Sequence, residues 1–165
     1  MATFKVQGGV KLKGELHPQG AKNEALQVLC AVLLTPEEVI MENVPNIRDV
    51  NILIDLLRDL NVKVNQIDKE TYSFKADEVN VDYLSSDDYK AKSSRIRGSI
   101  MIVGPLLARY GKGYIPRPGG DKIGRRRVDT HFIGFEKLGA KFVYDSKEEF
   151  YRVSATELKG SYMLL

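Results

Sequence analysis

A cation at the opening of a helix can hold an anion, and this sequence offers one at Gly20-Ala21-Lys22-Asn23. Free backbone N–H groups and the helix dipole favour negative charge there, and Lys22 adds a full positive charge. Two further features share that character. Arg95-Ile96-Arg97 stands at the start of a later apolar helix, and a loop ends in Arg125-Arg126-Arg127. Three hydrogen bonds to charged groups, at roughly 1.5–3 kcal/mol each, would give about 5–9 kcal/mol before ordering costs. Micromolar affinity needs about 8 kcal/mol. Lys22, Arg97 and Arg126 meeting in one groove would therefore suit a small, doubly anionic molecule. Each also has a plainer reading: Lys22 as a solvated first-turn lysine, Arg97 as a surface arginine, the Arg triplet as a solvated loop, and Gly119-Gly120 as a flexible turn.

Other chemistries find less support. The P-loop pattern GxxxxGK[ST] and the GxGxxG fingerprint are both absent. His17 and His131 have no second His or Cys at ligand spacing, so no metal is expected. No Ser–His–Asp or Cys–His arrangement can be argued. Cys30, the single cysteine, sits in an apolar helical stretch and reads as core. One cysteine in 165 residues also excludes an internal disulfide framework and fits a reducing, cytoplasmic setting.

The elements that must position these residues come from a globular composition, 43% hydrophobic and 28% charged. Net charge is only +3, too even to announce a nucleic-acid binder. It is unevenly placed, however. Between Arg109 and Arg127, seven cations face the single carboxylate Asp121. The stretch Asp68 to Lys90 is acidic and reads as a solvated face carrying short strands such as TYSFKA. The longest apolar run, Ile100 to Ala108, contains Gly and Pro and falls short of the ~20 residues a membrane span needs.

The chain repeats itself. Leu33-Leu34 matches Leu106-Leu107, and Arg48-Asp49-Val50 matches Arg126-Arg127-Val128, the second pairing five residues further apart than the first. The extra residues fall at about Gly119 to Ile123, inside the basic window, and a loop enlarged in one copy is a natural place for function. Each copy reads as apolar helix, turn, strand, loop, second helix, strand, which argues for an α/β architecture. Ala25, Val28, Leu29, Val32 and Leu33 give the first helix its stripe, and Thr35-Pro36 ends it. Asn46 is the expected N-cap of a second helix through Leu60, buried through Val50, Leu53, Ile54, Leu57 and Leu60. Asn61, Gly111 and Gly139 suit helix ends.

Four segments, KLKGELHPQGAKNEALQVLCAVLL, NVPNIRDVNILIDLLRDL, RIRGSIMIVGPLLARYGKG and PGGDKIGRRRVDTHFIGFEKLGAKF, together resemble the enolpyruvyl transferases over essentially the whole chain. The resemblance implies an inside-out α/β barrel built from repeats, incomplete in this chain. Residues 1–17 would be a first strand and crossover belonging to a second domain, and 18–165 about two repeats of the first. It implies transfer of the enolpyruvyl unit of phosphoenolpyruvate to the 3-hydroxyl of UDP-N-acetylglucosamine with release of phosphate, the opening step of peptidoglycan precursor synthesis. It assigns Lys22, Asn23 and Arg126 to phosphoenolpyruvate. Arg97, Arg126, Arg127, Val128, Asp129 and Thr130 go to the sugar nucleotide, although Pro is common in the family where Arg127 stands. Lys22, Arg126 and Asp121 form the implied catalytic set.

Asp121 stands where many members carry Cys, the proton donor and the target of fosfomycin. A carboxylate is a poorer nucleophile toward an epoxide than a thiolate, so insensitivity to that antibiotic is expected. No cofactor or metal is implied. The length implies a piece of a longer enzyme, inactive alone, whose partner is the missing C-terminal part. The shikimate-pathway branch is one alternative. An RNA-binding, cyclase-like relative using the basic window with Tyr110 and Tyr114 is another. The AKN motif and the PGGDKIGRRRVD loop favour the sugar nucleotide over the shikimate branch, a titration against single-stranded RNA would separate the other alternative, and neither nucleic acid nor membrane is an expected partner.

Overall fold

Leu26, Leu29, Cys30, Val32 and Leu33 bury one side of the first helical segment, because residues three and four apart share a face. They form α1 (Lys22–Ala31) and the 3-10 turn Val32–Leu34 that continues it. The computed structural model describes residues 3–115, 127–147 and 150–164. Val28 departs from the expected stripe: it is 46% exposed, because the helix turns its Leu26–Cys30 side inward instead.

Strand β1 (Glu38–Met41) leads to α2 (Arg48–Asp59), whose five expected apolar positions are all buried, with Leu56 beside them. Asn46 does not cap this helix. Ile47 occupies the cap position without a side-chain bond, and the Asn46 side-chain oxygen Oδ1 accepts from Asn51 Nδ2 instead. Asn61 adopts the left-handed conformation expected of a helix stop, with φ 66°. Strands β2 (Lys63–Gln66) and β3 (Tyr72–Lys75) complete the unit. β3 lies between the other two and pairs antiparallel with both, Phe74 facing Val39 on one side and Val64 on the other. β1 and β2 therefore run in the same direction, with α2 as their crossover.

The second copy follows the same plan. After a 3-10 turn (Val81–Ser85) and α3 (Asp87–Ser93), it runs through a 3-10 helix (Arg97–Ile102), α4 (Val103–Tyr110), β4 (Lys112–Ile115), α5 (Asp129–Lys137), β5 (Lys141–Asp145) and β6 (Phe150–Ser154). The strand order β4-β6-β5 repeats β1-β3-β2, and Val153 takes the place of Phe74. Gly111 and Gly139 are left-handed, as a chain leaving a helix requires. The enlarged loop lies within 116–126, outside the described residues.

Two cores result. Among the described residues the first holds 20 buried side chains and the second six. Helix α4 serves both, Leu106 facing the first and Val103 with Leu107 the second. Helix α5 has no fully buried residue, and packs through half-buried Phe132 and Phe135 against Phe142. Arg109 ties the copies together. Its Nη1 donates to the carbonyls of Leu33, Thr35 and Ala76 at 3.1, 3.1 and 2.7 Å. One cation of the basic window is thus a structural rivet. Residues 3–20 form no helix or strand, and Phe4, Val6, Val10, Leu12 and Leu16 stand exposed along them. Among the described residues no helix is long and apolar enough to cross a membrane.

Candidate functional site

Two glycines let the helix openings approach each other. A Cβ on Gly20 would run into the Asn43 carbonyl oxygen, so only glycine lets the chain enter α1 against that turn. A Cβ on Gly98 would meet Leu26 Cδ1 at 3.1 Å, so glycine seats the second copy's 3-10 helix close on α1. Lys22 and Arg97, 75 positions apart in sequence, consequently line one cleft of about 340 Å³ together with Asn23, Asp49 and His131. That volume lies in the range of small-ligand pockets. The neighbouring groove of about 300 Å³ between α1 and β1 carries Glu24 and Glu42 with no Lys or Arg, which suits an anion poorly.

Neither cation is solvated alone. Lys22 Nζ pairs with Asp49 Oδ2 at 3.0 Å, with the two side chains 40% and 37% exposed. A pair this wet contributes at most about 1 kcal/mol and is easily exchanged. Arg97 Nη2 donates to the Arg127 carbonyl at 2.9 Å, fixing the backbone that leads into α5. Arg127 forms an ion pair with Asp129. Val128 packs on the second core, and Thr130 is exposed in the first turn of α5. His131 faces the cleft, and its Nδ1 is buried with no hydrogen-bond partner among the described residues. An unpaired buried ring nitrogen is costly, so a polar ligand atom reaching it would be favoured.

The described structure thus unites Lys22, Asn23 and Arg97 in one cleft, with the Arg127–Thr130 segment running beside it. Asp121 and Arg126, like Arg117, Lys122 and Arg125, lie outside the described residues. Cys30 is core: it is 2% exposed, its Sγ donates to the Leu26 carbonyl, and burial pushes its thiol up to about 12. Asp49 and His131 are the titratable cleft residues that sequence reasoning did not single out as site residues, and Gln27 lines the cleft with them. The repeat alignment that matches Asp49 to Arg127 was the signal for the first, and the position of His131 two residues beyond Asp129 was the signal for the second.

Comparison with known proteins bears on the same residues. Residues 6–163 match the family described as EPSP synthase (3-phosphoshikimate 1-carboxyvinyltransferase). The chain belongs to this family. Among curated relatives in it, UDP-N-acetylglucosamine 1-carboxyvinyltransferase of Bacteroides fragilis is 57% identical over the whole chain, and that of Porphyromonas gingivalis 52%. The chain spans about 38% of the length of both. Among solved structures, the enolpyruvyl transferase NikO from Streptomyces tendae superposes with a TM-score of 0.72 at 20% identity, over 92% of this chain and 32% of that one. EPSP synthase from Acinetobacter baumannii gives 0.57 at 12%, over 89% and 33%. These structures share the enolpyruvyl transferase fold, and the present repeats form part of its barrel.

Proposed function

We propose that this chain supplies one wall of the active site of a UDP-N-acetylglucosamine enolpyruvyl transferase. The observation that carries the reading is the meeting of Lys22 and Arg97 in one cleft, beside the segment leading into α5. The identity with the Bacteroides and Porphyromonas enzymes supports the sugar nucleotide over shikimate phosphate. In the reaction the sugar 3-hydroxyl oxygen bonds to the enol carbon of phosphoenolpyruvate. The bond from that carbon to the phosphate oxygen breaks, and phosphate leaves. Lys22 and Asn23 hold the small anion, with Lys22 offsetting negative charge on the departing phosphate. Arg97, Val128, Asp129, Thr130 and the Arg127 backbone line the sugar-nucleotide side. Asp121 and Arg126 are assigned to the same site, Asp121 donating the proton that the methylene carbon takes up as the sugar oxygen adds; the hydroxyl proton passes to a general base, and the methyl carbon gives a proton back as phosphate leaves and the double bond re-forms.

Residues 1–17 are proposed to form a strand with another part of the enzyme. Their exposed, unpaired apolar residues support this, and the 165-residue chain alone is expected to show no turnover. The buried free thiol agrees with a cytoplasmic setting. Calorimetric titration tests the reading: phosphoenolpyruvate and UDP-N-acetylglucosamine should bind the chain, and Lys22→Met should abolish the former. Tighter binding of single-stranded RNA, unaffected by Lys22→Met, would overturn it. The assembled enzyme should resist fosfomycin, and a covalent adduct on Asp121 would refute the role given to that carboxylate.

A further inference from the structure

The Lys22–Asp49 contact is built into the repeat. Matching Arg48-Asp49-Val50 to Arg126-Arg127-Val128 places Asp49 at the position of Arg127. In each copy a cation at the opening of the first helical segment reaches the residue at the entry to the second. Lys22 Nζ meets the Asp49 carboxylate at 3.0 Å, and Arg97 Nη2 meets the Arg127 carbonyl at 2.9 Å. The acceptors differ in charge. A carbonyl leaves the positive charge of Arg97 intact, whereas Asp49 cancels that of Lys22. Both members of the first pair stand more than a third exposed in the wall of the cleft, so an entering anion can reach the ammonium.

We propose that Asp49 is a positioning residue: it holds the Lys22 ammonium at the cleft until a phosphate group takes that ammonium over. The inference rests on the reading that this cleft receives a phosphate-bearing substrate. Held this way, the ammonium spends more of its time at the cleft than its flexible four-carbon stem alone would allow. The Asp49 charge opposes every incoming anion, so a ligand must carry enough charge to displace it. Selectivity for multiply charged ligands follows, at the expense of affinity.

Inorganic phosphate, titrated into the 165-residue chain, tests this. Asp49→Asn keeps the size and an acceptor oxygen but removes the charge. It should tighten phosphate binding by about threefold to tenfold at low salt, the effect of one unit charge about 5 Å away in a water-like medium. The gain should shrink as salt rises. In the wild-type chain the Asp49 side-chain carboxyl ¹³C resonance should shift with the same midpoint as phosphate saturation, and Lys22→Gln should abolish that shift. Asp49→Ser, tested alongside, should tighten binding as Asn does. Unchanged or weaker affinity in both Asp49 variants, or a carboxyl resonance that phosphate leaves in place, overturns the inference while leaving the cleft as a phosphate site. Absence of saturable binding to the wild type and to both Asp49 variants removes the cleft reading and the inference together.

Discussion

Replacing Arg109 tests how the two copies are held in register, on which the shared cleft depends. Its Nη1 has two protons for three carbonyls, at 2.7, 3.1 and 3.1 Å. Two of those acceptors lie around the end of the first copy's helical segment, and the third, Ala76, follows β3. One guanidinium on α4 therefore fastens the second copy to two places in the first. Charged hydrogen bonds contribute about 1.5–3 kcal/mol each. Two protons set the ceiling near two full bonds, and partial hydration of half-buried carbonyls lowers it, so Arg109→Met should cost about 2–4 kcal/mol. For a chain of this size each kcal/mol lowers the melting temperature by about 2–4 °C, so a fall of roughly 5–15 °C is expected.

Equilibrium urea unfolding is the assay, and Met retains most of the apolar stem so that packing is not what changes. Arg109→Lys should recover only part of the loss, because one ammonium cannot span the same fork of acceptors. Arg109→Met unfolding within about 0.5 kcal/mol of wild type would refute the reasoning, since such a change is ordinary for a surface substitution.

Three further outcomes follow from the same coordinates. Gly20→Ala pushes a Cβ against the Asn43 carbonyl oxygen and should destabilise by about 1–3 kcal/mol in urea; an alanine variant as stable as wild type would show that the turn gives way. Tyr89→Phe removes a fully buried hydroxyl with no partner among the described residues and should leave stability unchanged or raise it by about 1–2 kcal/mol, a marked loss in urea being the contrary result. Cys30 should resist thiol reagents at pH 8 in the folded chain. Because burial raises its thiol from about 9 to about 12, the unfolded chain sheds that proton first, so the stabilising difference is full below pH 9 and is lost as pH rises from about 9 to 12. A wild-type minus Cys30→Ala stability difference that stays flat across that window would refute it.

The helices were legible because their apolar periods are local. Val50, Leu53, Ile54 and Leu57 fall on the buried face of α2 as their spacing demands, and Asn61, Gly111 and Gly139 stop helices where their tolerance of positive φ predicts. The sheet order was less accessible. TYSFKA reads as a strand, but its insertion between β1 and β2 is decided by pairing partners both nearby in β2 and more than 30 residues back in β1. Asn46 misled because the helix starts one residue later than expected, with Ile47 at the cap and the Asn46 side-chain oxygen taken by Asn51 Nδ2. In the site, Lys22 and Arg97 could be placed at comparable helix openings through the repeat alone. The Lys22–Asp49 bond spans 27 residues and depends on how α1 packs on α2, which no local pattern encodes.

The same duplication that brings two cations into one cleft also makes the walls of that cleft unequal. Lys22 and Asp49 stand on α1 and α2, both anchored in the larger core, where Leu29, Leu33, Val50, Leu53 and Leu57 are almost fully enclosed. His131 stands on α5, which buries no side chain completely and leans on a core with six buried members among the described residues. Each fully buried aliphatic side chain contributes about 1.5–3 kcal/mol, so the first wall is much the more firmly fixed. A ligand held by Lys22 meets a rigid surface. One that also uses His131 or the Arg127–Thr130 segment must first order the softer wall, and part of its interaction energy goes to that ordering. A small anion held by Lys22 should therefore bind less conditionally than a larger ligand that reaches across to α5, because the cation it needs stands on the half of the repeat with the larger core among the described residues.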